Sequence, residues 1–190
     1  MFFGPTLLNL QHTQISILCL SNGDDGGLGS IRQVELRDAA GVLGINSIKV
    51  INDQRIPDGM NVTWDKTIIQ EYLAQYRQSF DFDTILTFDQ EGVSSHLNHI
   101  SLFQASLDFC KMYDLGLYTL RTVAIYQKYL GAFDILFSTM SSDLTFVNSP
   151  VKWYTGVCAM RRHKSQMVWF RWGWVTLSRY MYVNTISKRL

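Results

Sequence analysis

The sequence has no marked excess of charge and few cysteines, and each shortage excludes a class of protein. Its 190 residues carry 17 Lys and Arg against 16 Asp and Glu, a formal net charge of +1. Nucleic acid is excluded as the main partner, because a net charge of +1 provides no global basic field that would recruit nucleic acid by counterion release. The three cysteines, Cys19, Cys110 and Cys158, lie far apart and form no C-x-x-C pair. They predict free thiols in a reducing compartment.

The sequence also lacks long apolar runs, internal repeats, linkers and low-complexity segments. Gln11 and His12 interrupt the apolar opening segment before it reaches a spanning length, so neither a signal peptide nor a membrane span is predicted. With 47% apolar residues, a chain of 190 residues can bury one good core. We therefore expect residues 1–190 to form a single domain.

Apolar periodicity predicts alternating strands and helices. Short apolar or β-rich runs predict strands at Ile15–Leu20, Ile45–Ile51, Asp83–Phe88 and Leu117–Tyr126. Helical spacing and capping signals predict helices from Ser30 to Gly44, over Ile68–Tyr76 and Ile100–Cys110, and after Ser149–Pro150. This alternation is typical of an α/β fold: a Rossmann-like, mainly parallel sheet with helices on both faces.

Two histidines, His96 and His99, stand where the predicted strand ending at Phe88 passes into a helix. The carboxyl ends of strands are the usual ligand-binding edge of such sheets. The pair therefore suggests half of a metal site. The alternative is that the two histidines only lie at a solvated helix start and bind nothing, because an H-x-x-H spacing alone is a weak signal.

The segment Phe88–Ile100 (FDQEGVSSHLNHI) resembles the metal-site motif of the N-acetylglucosaminyl-phosphatidylinositol de-N-acetylases, which act in GPI-anchor assembly. Further segments match this family in order along nearly the whole chain: Phe2–Thr6, Leu18–Gly23, Arg32–Leu36, Val42–Ile45, Pro57–Asp58, Thr87–Asp89, His163–Gln166, Trp169–Arg171 and Ser178–Met181.

The resemblance implies a zinc-dependent hydrolase that removes acetate from N-acetylglucosaminyl-phosphatidylinositol. It assigns His99 as a zinc ligand and His96 as the catalytic histidine that acts on the substrate. It also assigns Arg32, Asp58 and Asp89 to substrate binding: arginine can hold phosphate, and aspartate can accept hydrogen bonds from sugar hydroxyls. For Asp89 the alternative is a supporting position that orients a histidine of the site. His163 and Gln166 are weaker candidates for the same site.

The resemblance further implies a first strand that ends in His-Pro-Asp-Asp-Glu and supplies two zinc ligands and the carboxylate base. This sequence begins just after the corresponding place. Without that strand we expect open sheet edges and an incomplete zinc site. Asp24 and Asp25 do not replace these ligands in our interpretation, because turn chemistry explains their Asp-Asp-Gly-Gly cluster. An incomplete gene model or a shortened isoform of an ordinary enzyme is the first explanation, and an inactive relative that binds the lipid-sugar or a partner is the second.

Two separate features of the sequence suggest that the protein associates with a membrane. The family resemblance implies a membrane-surface location on the cytoplasmic face of the endoplasmic reticulum. Separately, the segment 167–183 is rich in aromatic residues and contains Arg171 and Arg179, which suits a membrane interface better than a span. A membrane-associated structural module is thus a third hypothesis, with burial of these aromatic residues in the core as its alternative.

Overall fold

The computed structural model describes residues 2–10, 13–140 and 143–190, and helices alternate with strands through most of them. The strands are β1 (Ser16–Cys19), β2 (Ser47–Val50), β3 (Thr84–Phe88), β4 (Gly116–Leu120), β5 (Leu144–Val147) and β6 (Val183–Lys188). The helices are α1 (Gly4–Asn9), α2 (Gly29–Val42), α3 (Lys66–Ser79), α4 (Gly92–Ser95), α5 (Leu97–Tyr113), α6 (Ile125–Lys128), α7 (Asp134–Ser138), α8 (Pro150–Arg162) and α9 (Trp169–Leu177). Short 3₁₀ turns occupy Asp24–Gly26, Gly131–Phe133, Lys164–Gln166 and Arg179–Met181.

The strands form two sheets. In the first, β1 pairs in parallel with β2, and in the second the order is β3-β4-β6-β5. The β3–β4 pair is parallel, whereas β6 runs antiparallel to both of its neighbours. The predicted α/β class with parallel pairs is confirmed, and the antiparallel β6 was not foreseen. Within the described ranges β1, β2, β3 and β5 each pair along one edge only, and the expectation of edges opened by a missing first strand stays a prediction.

The largest apolar cluster lies between the strands and the helices α3 and α5. Leu20 follows β1, Ile69 lies on α3, Phe109 on α5 and Leu117 on β4, and all four are buried in this one cluster. Partly buried Ile85 of β3 packs against the same cluster. One continuous core thus connects the two sheets.

The two predicted helix starts have different outcomes. Ser149 caps α8 as predicted, because its hydroxyl accepts a hydrogen bond from the Lys152 amide and Pro150 occupies the first turn. The capping box predicted from Ser30 and Gln33 is wrong, since α2 already begins at Gly29 and the Gly29 amide donates to the Asp24 carboxylate. A side chain from the preceding turn caps this helix.

The predicted strand Leu117–Tyr126 is too long. β4 ends at Leu120, and Ile125 and Tyr126 begin the short helix α6. The physical reason lies at Thr122, whose amide donates to the Asp89 carboxylate at 2.6 Å, whereas the preceding amide, that of Arg121, still donates to the Thr185 carbonyl of β6. A side chain remote in sequence therefore ends this strand.

Two expectations from the sequence can be checked directly. No helix within the described ranges is long and apolar enough to cross a bilayer. Cys19, Cys110 and Cys158 are free thiols, as predicted. Burial raises the pKa of the Cys110 thiol to about 11.

Candidate functional site

The turn that follows β3 has an unusual backbone. Gly92, Val93 and Ser95 all have positive φ, at 65°, 65° and 57°. Such a φ is a rare conformation for a β-branched residue like Val93. At Gly92 a Cβ would also lie 3.1 Å from the Cβ of His99. Strained backbone of this kind is enriched at functional sites, which points to the turn that carries the two histidines.

Asp89 holds this turn in place. Its side chain is 2% exposed, and it accepts hydrogen bonds from the amides of Glu91, Gly92 and Thr122 and from the Thr122 hydroxyl. The Thr122 hydroxyl in turn accepts from the Val93 amide at 2.8 Å. Asp89 therefore joins the end of β3 to the end of β4. Its predicted contact with substrate stays a prediction.

His99 is held in one orientation by its surroundings. Its Nδ1 lies 3.0 Å from the Gly92 carbonyl oxygen, and its ring stacks on Phe88 with centroids 3.7 Å apart. Because a carbonyl only accepts, Nδ1 carries the proton and the lone pair is on Nε2. Burial lowers the pKa of His99 to about 4, and the proximity of His96 adds to this effect. The imidazole is consequently neutral at pH 7.

His96 lies beside His99 at the start of α5. The two rings stack with centroids 4.5 Å apart and an interplanar angle of 21°. The Nδ1 atom of His96 is buried and has no hydrogen-bond partner among the described residues. The ring of Phe2 lies edge-on to His99, with centroids 6.1 Å apart, and edge-on to Trp174, with centroids 5.8 Å apart. The structure thus brings the two predicted histidines together, in contact with the aromatic rings of Phe88 and Phe2.

Arg32 and Asp58 form a second group. The Nη1 of Arg32 lies 3.7 Å from the Oδ2 of Asp58 and donates to the Gly23 carbonyl. With its amide oxygen turned toward the guanidinium, Gln166 accepts from the Nε and Nη2 of Arg32 at 2.8 and 2.9 Å. The guanidinium has five N–H donors, so these contacts orient it without using all of them.

Two open cavities flank this arginine group. A cavity of about 270 Å³ is lined by residues from the loops after β1 and β2, including Asn22 and Asp58. A smaller one of about 180 Å³ is lined by Arg32, Gln166 and His163. Burial lowers the pKa of His163. The weaker candidates His163 and Gln166 therefore lie at the arginine group and not with His96 and His99.

A loop connects the two groups. The Gly59 amide, adjacent to Asp58, donates to the side chain of Asn98 at 3.3 Å, and the Leu97 amide donates to the Met60 carbonyl at 3.2 Å. Asn98 lies between the two histidines in the sequence, on the first turn of α5, and its side chain is buried. The loop after β2 is thus fixed to the helix that carries the histidines, although neither cavity includes them.

The described residues supply only part of a metal site. His99 fits one ligand position, because the Gly92 carbonyl fixes its tautomer as ligating histidines require. No group of three or more His, Cys, Asp or Glu suited to a metal ion occurs in the part of the chain that the structure describes. Catalytic zinc normally has about three protein ligands. The donor set therefore does not by itself fit a complete zinc site.

Sequence reasoning missed several residues of the histidine group. Thr122 and Lys128 were both overlooked, and the Lys128 ammonium donates to the Ser94 hydroxyl at 3.3 Å and lies 5.8 Å from the centre of the Phe2 ring. Thr122 could have been found as a polar residue at the carboxyl end of a strand. No local signal identifies Lys128, because the histidine group and Lys128 meet only in the folded chain.

A family model and two similar proteins all point to the same family. The family model described as "PIG-L: GlcNAc-PI de-N-acetylase" matches residues 1–110. A Schizosaccharomyces pombe protein named as a probable N-acetylglucosaminyl-phosphatidylinositol de-N-acetylase is 36% identical, over 99% of this chain and 81% of its own length. The N-acetylglucosaminyl-phosphatidylinositol de-N-acetylase of Bos taurus is 33% identical, over 98% of this chain and 78% of its own length.

Solved structures share the fold. N,N'-diacetylchitobiose deacetylase from Pyrococcus horikoshii aligns with a TM-score of 0.63 at 15% identity, over 99% of this chain and 78% of that one. The zinc inhibited form of a teicoplanin deacetylase aligns with a TM-score of 0.64 at 12% identity, over 98% of this chain and 91% of that one. At such identities the likeness supports the fold alone.

Proposed function

Because the chain belongs to the PIG-L family of GlcNAc-PI de-N-acetylases, we propose that it hydrolyses the acetamide of N-acetylglucosaminyl-phosphatidylinositol in GPI-anchor biosynthesis. Water adds to the acetyl carbonyl carbon, the carbon–nitrogen bond breaks, and acetate and glucosaminyl-phosphatidylinositol are released. The observation that carries the proposal is the stacked His96–His99 pair after β3, in which His99 is neutral and fixed in one tautomer.

His96 is the residue we assign to the reacting group. Its Nδ1 is buried without a partner among the described residues, and because the residue as a whole is half-buried, the exposed part of the ring is the part that can meet a substrate. A histidine N–H placed near the acetamide can donate a hydrogen bond to the carbonyl oxygen as negative charge develops there. The same group can deliver a proton to the departing amine.

We assign Arg32 and Asp58 to the remainder of the substrate. Gln166 and the Gly23 carbonyl orient the Arg32 guanidinium, which suits it to hold the phosphate of the lipid headgroup. Asp58 lines the cavity of about 270 Å³, where its carboxylate can accept hydrogen bonds from sugar or inositol hydroxyls. Asp89 supports the histidine pair instead, because it fixes the turn that contains Gly92, whose carbonyl oxygen contacts the Nδ1 of His99.

Zinc is the metal that we propose for this chemistry, with the Nε2 of His99 as one ligand. The fixed tautomer of His99, which leaves the Nε2 lone pair free to ligate, supports this assignment. Zinc would polarise the acetamide and acidify the attacking water. The remaining ligands are not supplied as a cluster by the described residues.

Binding of the lipid-sugar without hydrolysis is the second candidate function. The incomplete donor set around His99 favours it. In both cases we propose the cytoplasmic face of the endoplasmic reticulum membrane as the place of action, on the basis of the lipid substrate. Fractionation and protease protection of an epitope-tagged chain test that location.

One experiment separates the two functions. The 190-residue chain is incubated in detergent micelles with substrate labelled in the acetyl group, with added Zn²⁺ or with chelator. Acetate release that His96→Ala abolishes and Gln78→Ala, at an exposed site on α3, leaves intact supports the hydrolase. Saturable binding without release supports the binding function. Absence of both overturns the proposal.

A further inference from the structure

The helix α9 exposes an unusual amount of aromatic surface. In this nine-residue helix, WFRWGWVTL, only Val175 is buried. Trp169 is 86% exposed, Phe170 56% and Trp172 45%. An apolar helix normally buries a face against the core. Burial of these aromatic residues was one expectation from the sequence, and for these three the structure contradicts it.

A second segment adds to this surface. Between Ala124 and Met140 the chain exposes several large apolar side chains: Ile125, Tyr126, Tyr129, Phe133, Leu136, Phe137 and Met140. The two segments touch, because the turn at Gly131 packs on the end of α9. A Cβ at Gly131 would lie only 3.5 Å from the carbonyl oxygens of Thr176 and Leu177. We call the apolar residues of α6, α7, the turn between them and α9 the aromatic surface.

Buried interactions support this surface from below. The Nε of Arg179 lies 2.8 Å from the Oδ2 of Asp134, and both side chains are almost fully buried. Arg179 also donates to the hydroxyls of Ser138 and Thr185. The segment around α7 is thus tied to β6 by its polar residues, while its apolar side chains remain exposed. A folded segment of this kind is a built surface and not a loosely attached loop.

The charge of this part of the chain is one-sided. No Asp or Glu follows Asp143, whereas the remaining residues include, besides the internally paired Arg179, the cations Lys152, Arg161, Arg162, Lys164, Arg171, Lys188 and Arg189. Asp134, the one carboxylate between Ala124 and Met140, is paired with Arg179 in the interior. Exposed aromatic and aliphatic residues combined with basic charge suit the interface of an anionic lipid bilayer.

The aromatic surface is also continuous with the histidine group. Trp174 of α9 contacts the Phe2 ring at 5.8 Å, and Phe2 contacts His99 at 6.1 Å. From α6, Lys128 reaches Ser94, which lies in the turn between β3 and His96. A membrane against the aromatic surface would therefore lie next to the residues assigned to the acetamide.

We propose that the aromatic surface docks this chain on the headgroup region of an anionic bilayer, with α9 lying in the interface. The nine residues of α9 form a helix about 14 Å long, whereas the hydrocarbon core of a bilayer is about 30 Å thick and needs ~20 helical residues to cross. The proposal rests on the proposed function only in naming a membrane lipid as substrate, and docking itself requires no turnover.

Vesicle binding of the 190-residue chain tests docking. Vesicles of phosphatidylcholine alone and with added phosphatidylserine are compared by flotation and by tryptophan emission. We expect binding and a blue shift with phosphatidylserine, weakened at high salt. Trp169→Ser/Phe170→Ser and Phe133→Ser/Leu136→Ser should each bind at least tenfold more weakly. The control Val34→Ser/Met112→Ser removes exposed apolar residues from α2 and α5 and should bind like the wild type.

Circular dichroism and urea unfolding confirm that the variants are folded, and a variant that is not folded is replaced by the corresponding single substitution. Equal binding by wild type and aromatic-surface variants overturns the proposal, and so does absence of vesicle binding by the wild type. A wild-type dimer that these variants convert to monomer, without vesicle binding, assigns the surface to a second copy instead. Acetate release from micellar substrate tests the proposed function separately, because the aromatic-surface variants should retain it.

Discussion

The imidazole of His99 stacks on the ring of Phe88 with centroids 3.7 Å apart and an interplanar angle of 10°. Phe88 is the last residue of β3, so the strand itself positions the histidine of the following helix. The stacking fixes the plane of the ring, and the Gly92 carbonyl, which accepts from Nδ1, keeps Nε2 as the unprotonated nitrogen. This arrangement is compatible with the metal-ligand role that we propose for His99.

Substitution of His99 and substitution of His96 should have different effects on Zn²⁺ affinity and on acetate release. We expect His99→Ala to lower Zn²⁺ affinity at least tenfold and to abolish most acetate release, because a ligand is lost. His96→Ala should retain most Zn²⁺ affinity and lower kcat by about 10²–10³, the usual cost of losing one donor to a developing oxyanion. Isothermal titration and acetate release measure the two quantities. Intact turnover in both variants would remove this pair from the mechanism.

The stability of the metal-free chain should depend on the protonation of His99. Its pKa is lowered from 6.5 to about 4, so the folded state binds fewer protons than the unfolded state between these values. The stabilisation is present above pH 6.5 and is lost as the pH falls through about 4. Between those pH values the free energy of unfolding should drop by roughly 2 kcal/mol more in the wild type than in His99→Gln, allowing for partial exposure. Urea unfolding in chelator measures this, and identical pH profiles would contradict it.

Arg32 should act through the geometry of its guanidinium and not through charge alone. Arg32→Lys keeps the charge but loses the planar fork, so we expect KM for the lipid substrate to rise about tenfold with little change in kcat. Gln166→Ala should raise KM less, because it removes only the group that orients Arg32. Arg37→Lys, on the exposed side of α2, is the matched control. A fall in kcat at unchanged KM would contradict the binding assignment.

The buried pair Arg179–Asp134 should matter for stability more than exposed pairs do. Arg179→Met leaves a fully buried carboxylate without its cation and should lower the free energy of unfolding by about 3–5 kcal/mol. The double variant Asp134→Leu/Arg179→Met removes both charges and should recover most of that loss. Lys66→Met, which breaks the exposed pair with Asp108, should hardly change stability. Urea unfolding of all four proteins checks this, and a double variant as unstable as the single one would refute it.

The sequence alone was sufficient for the strands and helices whose signal is local. The predictions for β1, β2, β3, α3, α5 and α8 all correspond to observed elements, because apolar spacing and the Ser149–Pro150 cap act within a few residues. The β4 prediction failed at its end because Asp89, far away in sequence, takes the Thr122 amide. The α2 cap failed for a local reason, since α2 begins at Gly29 and the amide of Gly29 donates to Asp24, five residues before it.

The sequence by itself determined the α/β class, the free cysteines and the membership of the family, since these follow from residue pattern and ordered motifs. Only the tertiary structure decided that His96 and His99 stack together, that Gln166 orients Arg32, and that α9 meets the turn at Gly131 in one aromatic surface. Each of those contacts joins residues through the packing of separate elements, and packing depends on long-range pairing that local periodicity does not encode.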